Sequence, residues 1–126
     1  MLVDRQPTEV LFVTCADEIA EIRAAWERLE AVVPLRGRRF FGAAYADGSY
    51  RACVQRLADE PPAGLEEGEL PGGRYRRERL RGEPPEVYDR IAGAVEALGP
   101  GDPSRPVIEH YRRRDEIHVL MPVRSE

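Results

Sequence analysis

The sequence predicts an α+β domain. Two β-α-β-β units, related by a pseudo-two-fold axis, lay their helices on an antiparallel sheet around a central cleft. Three observations point there. Strand-like and helix-like periodicities follow one another in the same order twice. A stretch rich in Pro, Gly and Glu separates the two runs. An ungapped slide of the chain on itself sets Pro34 on Pro100, Arg39 on Arg105 and Tyr45 on Tyr111, with both apolar helix stripes in phase.

The elements follow in order. Residues 1–8 form a polar lead, and residues 9–123 form one domain. Residues 9–15 (EVLFVTC) are a compact β-rich run. Over residues 17–33 the apolar positions Ile19, Ile22, Trp26, Leu29 and Val33 recur at helical spacing, with Thr14 or Asp17 as cap candidates and Pro34 as the stop. Residues 39–45 and 50–57 are strands around Ala46-Asp47-Gly48-Ser49, a hairpin signal. They close the first half, residues 9–57. Residues 58–73 read as a connecting loop. The second half, residues 74–123, opens with a strand over 74–80. Pro84-Pro85 then precedes a stripe of Val87, Tyr88, Ile91, Val95 and Leu98, which stops at Gly99-Pro100-Gly101. A hairpin of residues 107–112 and 116–122 closes it.

A chain of 126 residues has the size of a single domain with one core. No apolar run reaches the roughly 20 residues of a membrane span, and the acidic start lacks the marks of a signal peptide. A cytoplasmic protein is therefore expected. All 19 basic residues are arginine, yet the net charge is -4 and the pI near 5.3, which argues against a direct nucleic-acid partner. In that compartment Cys15 and Cys53 are expected as free thiols. The sequence carries no phosphate-binding glycine loop, nucleophile elbow or Cys-x-x-Cys pair. His110 and His118 lack the third ligand a catalytic zinc needs, so neither metal nor cofactor is expected.

One carboxylate stands out. Glu109 lies in the apolar run PVIEHY, and period two places it on one face with Val107 and Tyr111. Desolvation there would raise its pKa, and a bound cation would favour its charged form. A pair with an arginine such as Arg77 is the structural alternative. Tyr45 and Tyr111, equivalent under the slide, are candidate walls of an aromatic slot for a flat or cationic ligand. Phe41 and Tyr75 follow as further ligand-binding candidates. Trp26 reads as a core residue of the helix stripe.

Residues 40–54 (FFGAAYADGSYRACV), 70–82 (LPGGRYRRERLRG) and 106–111 (PVIEHY), followed by IHVLMPV, carry a resemblance to the GyrI-like family, the effector-binding domain of multidrug-responsive bacterial regulators. The resemblance runs over residues 9–123. It implies a duplicated fold with a central cleft and an acid at the position of Glu109. With no room for a DNA-reading segment outside the repeat, the chain resembles a stand-alone member. Three functions are open on that resemblance. One is binding of a hydrophobic, aromatic or cationic small molecule, with drug or toxin protection as its purpose. Another is hydrolysis of cyclopropane-bearing alkylating compounds, with Glu109 as general base and Tyr45 as the hydroxyl donor. The third is a protein-interaction role that shields a topoisomerase. No membrane partner is expected.

Overall fold

The computed structural model describes residues 1–34 and 36–124. Eight strands form one antiparallel sheet: β1 (Leu2–Arg5), β2 (Thr8–Ala16), β3 (Phe40–Ala44), β4 (Ser49–Gln55), β5 (Glu66–Leu70), β6 (Gly73–Arg81), β7 (Val107–Arg113) and β8 (Glu116–Pro122). Their order across the sheet is β1-β6-β8-β7-β3-β4-β2-β5. The helices are α1 (Ile19–Val32), a short α2 (Glu86–Asp89) and α3 (Ile91–Leu98). The architecture is α+β. No helix among the described residues is long and apolar enough to cross a membrane.

Connectivity forces the sheet to curl. β1 ends at Arg5 and β2 starts at Thr8, yet the two strands stand near opposite ends of the strand order. Three residue steps reach only about 11 Å. The same holds for β5, ending at Leu70, and β6, starting at Gly73. Both short links are met only if the sheet bends into a half-barrel that brings its ends together. Arg5 fastens this seam, donating to the Pro71 carbonyl at 2.9 Å and to the Thr8 hydroxyl at 2.7 Å.

The bend gives the sheet two unlike faces. On the helix-free face, Val10, Phe12, Phe41, Ala43, Cys53, Leu70, Tyr75, Ile108 and Leu120 pack into one buried cluster. On the other face, α1 buries Ala25 and Leu29 against Leu11, Val13, Tyr50, Ala52 and Val54. α2 and α3 cover Leu80, Ile117 and Val119 with Val87 and Ala94. Burying Leu29 completely is worth about 1.5–3 kcal/mol, which outweighs the missing side-chain cap at Glu18, the residue that precedes the helix.

Several local expectations shift. β1 lies within the predicted lead and β5 within the predicted loop, because an antiparallel edge needs a partner more than it needs an apolar pattern: four of the five β5 residues are exposed. Neither Thr14 nor Asp17 caps α1, and Ile19 is exposed rather than part of the stripe. The second helix is broken at Arg90, leaving Tyr88 on a four-residue segment. The β3–β4 turn closes through Tyr45 and Ser49, with Gly48 at a positive φ of 87°. Cys15 and Cys53 are both free and sit on opposite faces of the sheet.

Candidate functional site

The middle of the sheet is the β3–β7 pair, where Gly42 lies opposite Glu109. Glu109 projects to the helix-bearing face. Its Oε1 accepts hydrogen bonds from the Tyr111 hydroxyl at 2.5 Å and the Tyr50 hydroxyl at 3.0 Å. Oε2 takes no hydrogen bond from the described residues. None of their arginines forms an ion pair with Glu109. Burial pushes the Glu109 carboxyl above its usual range, the two hydroxyls pull the other way, and the nearby Asp17 charge adds to the rise. Burial and the adjacent carboxylate also raise Tyr50 and Tyr111, so both stay phenols and keep donating.

Gly42 is what makes room for this arrangement. A Cβ there would stand inside any permitted contact with the Tyr50 hydroxyl oxygen and 2.5 Å from Glu109 Oε1. Around the carboxylate stands an aromatic group drawn from four elements, β3, β7, α1 and α2. Phe40 and Tyr111 stack at 5.8 Å and 15°. Trp26 of α1 meets both edge-on, at 5.8 and 5.7 Å. Tyr88 of α2 meets Tyr111 edge-on at 6.2 Å and is itself 45% exposed. The ring faces and a carboxylate with no ion-pair partner among the described residues are groups of the kind that attract a cation.

The sequence candidates divide between the two faces. Glu109 and Tyr111 come together. Phe41, Tyr45 and Tyr75 lie on the helix-free face, away from Glu109. Their rings already carry the chain's own cations: Arg5 lies 5.5 Å from the Phe41 ring, Arg51 4.7 Å from Tyr45, and Arg105 4.8 Å from Tyr75. Tyr45 and Tyr111 therefore do not face one another, and Tyr45 is not placed to work with Glu109 on one substrate. Arg77, the example of a structural partner for Glu109 in the alternative reading, pairs in register with Leu120 on the far side of β8. Trp26 joins the aromatic group rather than serving only as core. Phe40, Gly42, Tyr50 and Tyr88 escape a reading of single strands. The signal for the first two was period two: counting back from the register opposite Glu109 puts Phe40 and Gly42, not Phe41, on its face.

A cavity of about 340 Å³ opens beside Phe40 and Tyr111, lined otherwise by His110 and by arginines of residues 38–39 and 112–114. Among the described residues, no group of three His, Cys, Asp or Glu side chains is gathered as metal ligands would be.

Solved structures share this architecture. An integron cassette protein, VCH_CASS2, from Vibrio cholerae superposes with a TM-score of 0.79 at 19% identity, over 98% of this chain and 95% of that one. The structure of SAV2435 bound to tetraphenylphosphonium matches at 0.71 and 15% identity, over 99% and 93%. A hydrolase from Listeria innocua matches at 0.62 and 12%, over 98% and 90%. At these identities the likeness is one of fold. No family model and no curated protein matches the chain.

Proposed function

We propose that this protein binds a lipophilic organic cation on the helix-bearing face, between α1 and α2, in the manner of a stand-alone GyrI-like effector-binding domain. The observation that carries the reading is Glu109: a carboxylate among aromatic rings, held by two tyrosine hydroxyls on one oxygen and by no cation of the described residues. A half-buried carboxylate that has lost much of its water and has no cation among the described residues beside it is costly to keep ionised. A ligand cation offsets that cost on arrival, while its apolar groups gain contact with Trp26, Phe40, Tyr88 and Tyr111. The rings touch one another, so a flat ligand enters by parting them. Tyr88, exposed on a four-residue helix, is the ring with least to lose by moving.

Two further observations support the reading. SAV2435, which shares the fold, was solved with a lipophilic cation. The strand order also reads the same from the opposite edge when β1 to β4 are exchanged with β5 to β8, which suits a two-half fold whose axis passes between β3 and β7. On that reading Val10 matches Tyr75, Phe41 matches Ile108 and Gly42 matches Glu109, each pair sharing a face. Glu109 then stands beside the axis with glycine as its mate, so the site holds one acid rather than two that repel.

Titration with tetraphenylphosphonium and with neutral triphenylphosphine oxide tests this. Glu109→Gln keeps the shape and removes the charge. Affinity for the cation should fall by about tenfold or more, equivalent to about 1.4 kcal/mol, while the neutral compound binds as before. Equal weakening of both would remove Glu109 from the site.

A further inference from the structure

The 340 Å³ cavity beside Phe40 and Tyr111 is chemically the opposite of the Glu109 site. Five arginines line it, Arg38, Arg39, Arg112, Arg113 and Arg114, in a chain whose net charge is -4. Arg38 is committed to Glu60, with bonds of 2.7 and 2.6 Å. Arg114 reaches Glu83 only at 4.0 Å, both side chains being largely exposed. Arg39, Arg112 and Arg113 take part in no ion pair with the described residues. The backbone gathers them. Residues 38–39 lead into β3, which pairs with β7, and the register slips between Tyr111 and Arg113, so that Arg112 sits in a bulge. Bulges re-aim side chains and recur beside binding sites.

We propose that this cavity is a second ligand site, for a small multivalent oxyanion, with Arg39 and Arg112 as its main ligands and the stacked Phe40–Tyr111 pair as one wall. Guanidinium groups are planar forks that match carboxylate and phosphate oxygens two at a time, and three of them without carboxylate partners repel one another until an anion arrives. His110, also in the lining, reports the field. It is pushed down to about 4, by burial first and then by Arg112 on β7, His118 on β8, Arg5 on β1 and Arg39 before β3. Every charged group in that set is cationic or becomes so on protonation. A bound oxyanion reverses the balance and favours the imidazolium, so protonation of His110 and binding of the anion favour one another.

The test is an NMR titration of the histidine ring protons of the full chain with pyrophosphate and, separately, with citrate, at constant ionic strength. Only two histidines are present, and a His110→Gln spectrum assigns them. Saturable binding of either probe, with a rise in the His110 pKa that sodium chloride does not produce, is expected. Binding of one probe alone identifies the oxyanion as phosphate-like or carboxylate-like and supports the site. The double variant Arg39→Gln/Arg112→Gln, at exposed positions and checked for folding by near-UV dichroism, should bind at least about tenfold more weakly. The proposal is overturned if neither probe saturates, if His110 responds only as it does to chloride, or if the double variant binds as tightly as the wild type.

Discussion

Gly42→Ala should cripple the Glu109 site and the fold together. The added Cβ would overlap the Tyr50 hydroxyl oxygen and lie 2.7 Å from Tyr50 Cζ. Tyr50 is 1% exposed, so its ring cannot move aside without disturbing the residues packed around it. Overpacking of this kind costs about 1–3 kcal/mol. The displaced hydroxyl also loses its bond to Glu109, and a buried donor left without a partner costs about 1–3 kcal/mol more. The sum is roughly 2–6 kcal/mol. For 126 residues the unfolding entropy near Tm is about 0.26 kcal/mol/K, so Tm should drop by roughly 8–23 °C. Differential scanning calorimetry reads this directly. Adding Tyr50→Phe removes the atom of closest overlap, and the double variant should be more stable than the two single losses added together. A Gly42→Ala protein that melts within about 2 °C of wild type and still binds tetraphenylphosphonium would refute the account of Gly42.

Other outcomes follow from the same geometry. Tyr111→Phe should weaken cation binding by about 1.5–3 kcal/mol, the range for a hydrogen bond to a charged group, whereas Tyr45→Phe should leave it unchanged in isothermal titration. Trp26 is the sole tryptophan and touches two rings of the site, so ligand binding should change its fluorescence, and Trp26→Leu should cost about 0.5–2 kcal/mol of affinity. Thiol titration of the denatured, unreduced protein should count two, because Cys15 and Cys53 lie on opposite sheet faces.

What was legible in the sequence was what repeats at short range. The stripe from Ile22 to Val33, the Asp47-Gly48 turn and the alternation around Glu109 each depend on neighbours within a few residues, and each has its place in the structure. The elements that escaped depend on distant partners. β5 carries the sequence EEGEL and has almost no pattern; it is a strand because β2 offers it an edge. The slide that equates Tyr45 with Tyr111 ignores face, because it carries one uniform step through the helices. In the structure Tyr45 packs with the helix-free cluster and Tyr111 with the cluster under α2 and α3. A slip of one residue moves a strand residue to the other side of the sheet, so one extra residue in a connection changes which aromatic rings meet. Glu109 survived that error because its own alternation, not its supposed mate, set its face.

Glu109 also ties stability to function in a way that pH can expose. Its folded-state pKa is raised, so over the window between the unfolded value, about 4.3, and the folded one, the native state holds more protons than the unfolded chain. Stability contributed by this group is therefore greatest below that window and is lost as pH rises through it. Glutamine at the position mimics the neutral acid and still offers Oε1 to both tyrosine hydroxyls, so the Glu109→Gln protein should lack this loss. Wild type and variant should melt together at pH 4, and the variant should melt higher at pH 7. A cation such as tetraphenylphosphonium, preferring the ionised form, should close the gap on the wild-type side only and bind more tightly as pH rises through the same window. Were Glu109 instead a structural acid whose charge stabilises the native state, the order at pH 7 would invert, with the variant melting lower, and the carboxylate would belong to the scaffold rather than to a ligand.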